Sequence, residues 1–322
     1  MSLVRPAKPT WSQIQEAQGF LRDRLPSSRL LCASSLHRHD HASIYLKLET
    51  EMPTGSFKVR GALFALHAEI EQRPVTEVVT ASTGNHGAAV AYAARLLSVP
   101  AKIFVPYPVN EVKRKRIQEL GALIVEDGKD ITEARGLAAE YSNQRDAFVL
   151  DDATNPNVPA GAATIASEIV QQLPEVAAIL VPIGDSALIR GVASAAKHLR
   201  PKLRIIGVQA ERAPAYYLSW MQGVSVRTET CNTIADGLAT RVPVDENVRA
   251  IQELVDDVRL VGDEQMLNAI RHLWVNEQVM AEPAGAATTA AWLADDASSA
   301  LDGPTVLLVT GANISESVRR QV

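Results

Sequence analysis

Short apolar runs alternate with longer stretches of helical period almost from end to end of the 322-residue chain. The pattern predicts strands over Glu77 to Ala81, Ala101 to Val105, Leu123 to Glu126 and Ala147 to Leu150. Between them it predicts helices over the Ala-rich Asn85 to Leu97, over Asn110 to Leu120 and over Ile131 to Ser142. Further on, Ala177 to Ile183, Arg204 to Gln209 and Thr305 to Val309 read as strands, and Ala187 to Leu199 and Ala284 to Ala294 as helices. Strands apolar on both faces and separated by helices specify a mostly parallel sheet covered by helices, the α/β class. No internal repeat or low-complexity linker interrupts the pattern.

At about 150 residues per domain the length predicts two domains. The run of strand–helix units from Pro53 to Asp152 is long enough for a sheet of its own. The expected organisation is a small domain over 53–152, inserted in a large domain made of 1–52 and 153–322. The predicted strand Ile44 to Glu49 then lies near the crossing between them. In such folds ligands bind at domain junctions and beyond the C-terminal ends of parallel strands, so the residues after each strand are the ones to inspect.

Composition narrows the class without changing it. Apolar residues make up 47% and charged residues 21%, which excludes a disordered or collagen-like chain. The formal charge of −5 argues against nucleic acid as the main partner. No apolar run is long enough for a bilayer, so no membrane partner is expected. Met1 to Gln18 lacks the apolar core of a signal peptide, and two cysteines, Cys32 and Cys231, make neither a disulfide framework nor a cysteine zinc site. The expected location is the cytosol.

Several post-strand segments carry candidate chemistry. In Thr54-Gly55-Ser56-Phe57-Lys58-Val59-Arg60-Gly61, a Lys one turn into a helix feels the positive N-terminal field, which favours a neutral amine able to attack a carbonyl. The plainer alternative is a solvated Lys capped by Ser56. Ala81-Ser82-Thr83-Gly84-Asn85-His86-Gly87 brings small hydroxyls, an amide and helix N–H groups together, good chemistry for a carboxylate, or else a simple N-cap and turn. Gly184-Asp185-Ser186-Ala187-Leu188 joins a strand to a helix as phosphate loops do, although Asp185 is misplaced beside a phosphate unless it turns away to cap the helix. Gly-Asp-Ser-Ala-Leu also looks like the nucleophile block of the GDSL hydrolases. Their paired base is missing: three residues before His272 stands Ala269. Val309-Thr310-Gly311-Ala312-Asn313 and Glu282-Pro283-Ala284-Gly285-Ala286 are two further turns, with cap chemistry as the plain alternative. The cluster His37, His39, Asp40 and His41 has the alternation that puts imidazoles on one side of an extended segment, but no matching ligand set is evident elsewhere, so no metal is expected. Lys113 to Arg116 reads as a solvated helix face.

Taken in order, these segments and Thr233-Ile234-Ala235-Asp236-Gly237 resemble the fold type II (tryptophan synthase beta-like) pyridoxal-phosphate enzymes, and within them the threonine/serine dehydratases and serine racemases. The resemblance covers nearly the whole chain. Because it stops at Val322, with no room for a regulatory domain, it points to the short catabolic form. It implies pyridoxal 5'-phosphate as cofactor, Lys58 as the residue that binds it as a Schiff base, Phe57 beside its ring and Asn85 on its phenolic oxygen. It implies that Ser82, Thr83, Asn85 and His86 hold the substrate carboxylate, that Gly184, Asp185, Ser186, Ala187 and Leu188 hold the phosphate, and that Thr310 faces the pyridine nitrogen. A hydroxyl there moderates the electron sink, which favours loss of a β-substituent over racemisation or transamination. The implied activity is β-elimination from a β-hydroxy amino acid to a 2-oxo acid and ammonia, by a homodimer.

Three departures stand out. The phosphate loop carries side chains where the family has a run of glycines. Thr83 replaces the serine that racemases use on the opposite face. Tyr217 replaces the acid of the Glu-x-x-x-Ala-x-Asp cation pattern that begins at Glu211. They leave open a bulkier substrate such as phenylserine or a hydroxyectoine-derived amino acid, a racemase or β-replacement synthase, or a silent amino-acid-binding protein.

Overall fold

The computed structural model describes residues 8–37, 43–82, 84–107, 111–129, 131–294, 301 and 303–322. Two sheets organise it. The larger has six strands in the order β1 (Leu30–Cys32), β2 (Ile44–Leu48), β10 (Thr305–Val309), β7 (Ala178–Pro182), β8 (Arg204–Ala210) and β9 (Asp257–Val261). Only the β1–β2 pair is antiparallel. The smaller sheet is wholly parallel, in the order β5 (Leu123–Glu126), β4 (Ala101–Val105), β3 (Val78–Ala81) and β6 (Phe148–Val149). All residues of β7 and β10 are buried, as expected of central strands covered on both faces.

The helices are α1 (Trp11–Arg22), α2 (Lys58–Ile70), α3 (Asn85–Leu96), α4 (Glu111–Glu119), α5 (Ile131–Arg145), α6 (Val158–Gln172), α7 (Ala187–Leu199), α8 (Ala215–Gln222), α9 (Asp245–Leu254), α10 (Asp263–Glu277), α11 (Pro283–Ala294) and α12 (Glu316–Arg319). None of the described helices is long and apolar enough to cross a membrane. The core divides accordingly. One cluster, including Leu46, Leu180, Val208, Leu307 and Trp292, fills one face of the large sheet. A second, including Ile179, Val181, Ile189, Ile205 and Leu308, fills the other. A third joins α2, α3 and the small sheet through Leu63, Phe64, Val78, Val90 and Ile103.

Helix α2 lies between the sheets because its sequence permits close approach to α6. A Cβ on Gly61 would sit 2.7 Å from Val158 Cγ1, and one on Gly161 would sit 2.3 Å from Arg60 O. Neither helix tolerates a larger side chain at the crossing. Beneath it runs a buried charge network. Arg60 donates to Glu49 (Nε–Oε2 2.8 Å, Nη2–Oε1 2.9 Å) and to Glu168 (Nη1–Oε1 2.6 Å, Nη2–Oε2 3.0 Å). Lys47 Nζ donates to Glu168 Oε2 (2.6 Å) and Ser28 Oγ to Glu49 Oε1 (2.6 Å). Two cations thus meet two anions, so burial leaves no net charge in the core. The network ties α2 to the end of β2 and to α6.

Candidate active site

The strand ends predicted to carry chemistry converge. The turn after β2 is stitched to the end of β10: Ser56 bridges Gly311, Phe57 N donates to Thr310 O (3.1 Å) and Ala312 N to Gly55 O (2.9 Å). Phe57 is the N-cap and Lys58 the first residue of α2, so Lys58 lies at the helix mouth rather than one turn in. Ser56 does not cap it; its Oγ is buried with no hydrogen-bond partner. Phe57, Lys58, His86, Asp152 and Ala187 line one cleft, and the Phe57 ring centroid lies 5.4 Å from Lys58 Nζ.

The turn after β3 supplies the opposite wall. Ser82 Oγ accepts a hydrogen bond from Gly84 N (3.2 Å), while Gly84 occupies the N-cap of α3, so Ser82 does not cap that helix as the plain alternative required. Thr83 lies outside the described residues, as do His39, Asp40 and His41 and the side chains of Lys113 and Arg116. Asn85 is fixed at both ends of its amide: Nδ2 donates to Glu282 Oε1 (2.6 Å) and Oδ1 accepts from Asn313 Nδ2 (2.5 Å). His86 Nε2 donates to Leu150 O (2.9 Å), which leaves Nδ1, buried and without a hydrogen-bond partner, 3.8 Å from Asp152 Oδ2. Thr310 is buried at the end of β10.

The loop after β7 closes the site. A Cβ on Gly184 would lie 2.0 Å from Gly237 O, so this position has room only for glycine. Ser186, at the N-cap of α7, adopts φ 73°, the left-handed conformation that glycine usually supplies, and no side chain caps the helix. Its Oγ is held by Arg190 Nε at 3.1 Å. Arg190 is buried, which pulls its guanidinium down to about 10. Asp185 does not cap α7. Its carboxylate accepts from Thr240 Oγ1 (2.9 Å) and lies 3.9 Å from Arg135 Nη2. Burial, then the charge of Asp152, raise its pKa.

Electrostatics correct one expectation. Burial pushes Lys58 toward the neutral amine, but the carboxylates of Asp152, Asp185 and Glu282 outweigh it and hold Lys58 above its ordinary value. Lys58 and Asp152 form an ion pair. Asp152 is opposed by burial, yet His86, Lys58 and Arg135 hold it well below the usual carboxylate range. The helix-end field is thus not what sets this amine.

A lysine, a histidine, an aspartate and the uncapped mouth of α7 thus line one cleft, with the fixed amide of Asn85 next to His86 and the buried Thr310 bonded to Phe57. Residues 26–311 match the family described as "Pyridoxal-phosphate dependent enzyme".

The chain belongs to that family.

An L-threonine ammonia-lyase of Geobacter sulfurreducens is 36% identical over 304 residues, 94% of this chain and 75% of that protein. Among solved structures, threonine deaminase isoform 2 of Solanum lycopersicum superposes with a TM-score of 0.90 at 28% identity, over 98% of this chain and 94% of that one. Maize serine racemase superposes with a TM-score of 0.89 at 29% identity, over 96% and 95%. The α/β fold with two sheet-containing domains and the pyridoxal-phosphate dependence expected from the sequence agree with these findings. The site fits the family's cofactor in three respects: the uncapped amides of α7 meet an anion, the glycine-only contact at Gly184 brings backbone close, and Lys58 stands in the cleft.

Sequence reading missed Asp152, the ion-pair partner of Lys58, and the roles of Arg135, Arg190 and Thr240. Glu282 and Asn313 stood in quoted motifs without a function. The adjacent Asp151-Asp152 after a predicted strand was the available signal, but nothing local ties it to position 58.

Proposed function

We propose that the protein catalyses β-elimination from a β-hydroxy amino acid, threonine or serine, giving a 2-oxo acid and ammonia. The observation that carries this is that Lys58 lines one cleft with His86 and Asp152 and follows a turn bonded to the end of β10 at Thr310. Lys58 would hold the cofactor covalently, and its amine would take the Cα proton. Phe57 packs by the ring, and Asn85, fixed by Glu282 and Asn313, addresses its phenolic oxygen. The amides and side chains of Gly184, Asp185, Ser186, Ala187 and Leu188 take the phosphate, with the Ser186 hydroxyl aimed by Arg190. Ser82, Thr83, Asn85 and His86 hold the substrate carboxylate. Thr310 faces the pyridine nitrogen. When bound, the cofactor supplies the electron sink for charge developing at Cα. The small domain is assigned to 53–152 and the large one to 1–52 with 153–322, in a cytosolic homodimer.

Keto-acid release from a panel of β-hydroxy amino acids tests the reading, together with the cofactor's lysine-bound absorbance band. Threonine or serine should give keto acid without an added nucleophile, and Lys58→Ala should abolish both signals. Cofactor bound at Lys58 with no keto acid from any member of the panel refutes the substrate class.

A further inference from the structure

The Lys58 amine is met by carboxylates from three separate elements. Asp152 comes from the segment after β6, Asp185 from the loop after β7 and Glu282 from the turn before α11. Among the described residues, the other charged or titratable groups here are His86 of α3, 3.8 Å from Asp152, Arg135 of α5, 3.9 Å from Asp185, and Arg190 of α7, buried within electrostatic reach of Asp152. The two adjacent aspartates divide their work. Asp151 Oδ1 accepts from Ala153 N, Thr154 N and Thr154 Oγ1, each at 3.0 Å, and so builds the turn. The Asp152 carboxylate, 7% exposed, turns into the cleft and pairs with Lys58. A carboxylate not needed for the turn, buried against the amine that must bind an aldehyde, calls for a functional reason.

We infer that Asp152 is a positioning residue that holds the Lys58 amino group in place and stabilises the ammonium ion it becomes on taking the Cα proton, and so makes it the proton carrier of the elimination. This rests on the function proposed above. The freed Lys58 amine takes the Cα proton: a C–H bond breaks and an N–H bond forms. The ammonium then gives a proton to the β-oxygen as the Cβ–O bond breaks. The bonding pair of that bond leaves with oxygen as water, the pair at Cα becomes the Cα–Cβ double bond, and the amine is neutral again. Asp152 stabilises the charged stage between the two transfers and holds its nitrogen in one place. The arrangement has an opposite effect on cofactor capture, because only the neutral amine attacks an aldehyde.

The test uses the full chain stripped of cofactor with hydroxylamine, then mixed with pyridoxal phosphate and trapped with borohydride across a range of pH. In Asp152→Asn the midpoint of Lys58 labelling should move down by about one pH unit or more, so that labelling near neutral pH is roughly tenfold faster. Turnover in the same variant should fall. Asp152→Glu should restore the wild-type midpoint. Asp152→Ser, small and neutral, reads the same shift should Asn fail to fold. A midpoint unmoved in both neutral variants overturns the role of Asp152 while leaving the enzyme class intact. Labelling that persists in Lys58→Ala overturns the placement of the cofactor itself, and the inference with it.

Discussion

Arg60→Met removes the centre of the charge network under α2. In the wild type, Arg60 covers both oxygens of Glu49 and both of Glu168. After the substitution Glu168 retains Lys47, at 2.6 Å, but Glu49 is left with the Ser28 hydroxyl as its described side-chain donor. Glu49 is fully buried, so an uncompensated carboxylate remains in the core. Breaking a buried pair in this way costs about 3–5 kcal/mol, a large part of the roughly 5–15 kcal/mol that holds a typical domain folded. If stranded charge rather than lost volume is the cause, adding Glu49→Gln to Arg60→Met should return about 2 kcal/mol, since a neutral amide is cheaper to bury. Urea denaturation followed by tryptophan fluorescence measures both variants. A loss below about 1 kcal/mol for Arg60→Met, or no recovery in the double variant, refutes the reasoning.

Other substitutions probe the site and its supports. Gly184→Ala places a methyl 2.0 Å from Gly237 O and should weaken cofactor binding at least about tenfold, read by equilibrium dialysis. Ser186→Ala keeps the left-handed backbone and loses the bond to Arg190, whereas Ser186→Gly loses the bond but relieves the backbone; thermal melting should find the Ala variant less stable by about 1 kcal/mol. Glu168 is opposed by burial, but Arg60 and Lys47 hold its pKa below the ordinary 4.5. The folded state therefore binds this proton more weakly than the unfolded chain. Its stabilising effect is full above that ordinary value and is lost as pH falls through the lower folded one. Melting temperatures across this acid range should fall steeply in the wild type and more gently in Glu168→Gln.

The sheets were legible where short runs rich in apolar residues are set off by turns and helical stretches. Ala101–Val105, Leu123–Glu126 and Thr305–Val309 have the bounds their sequences predict. Polar ends blurred others: the helix from Ile131 continues past Ser142 to Arg145, and the strand around Phe148 shrinks to two residues. The edge strand Leu30–Cys32 gave no signal, because three residues are too few for a period and its pairing with β2 is set by tertiary contact. Lys58 was singled out through its motif, and it lines the cleft, yet its charge state was misread. The helix end is local and visible in sequence, whereas the carboxylates at 152, 185 and 282 arrive from other parts of the chain. Lys47 and Glu49, polar positions in and beside an otherwise apolar strand, marked the buried network without indicating that Arg60 and Glu168 would complete it.

Strand β10 leaves the ribosome after every other described strand of the large sheet, yet it inserts between β2 and β7 in the middle of that sheet. Until it arrives, β2 and β7 have no common neighbour, and the turn carrying Lys58 lacks its pairing to Gly311. The small sheet, whose strands are all made by residue 149, can mature on the nascent chain. Coloured, cofactor-loaded protein should accordingly appear only after β10 has emerged from the ribosome, and chains stalled just short of Thr305 should stay colourless however much vitamin B6 the medium contains.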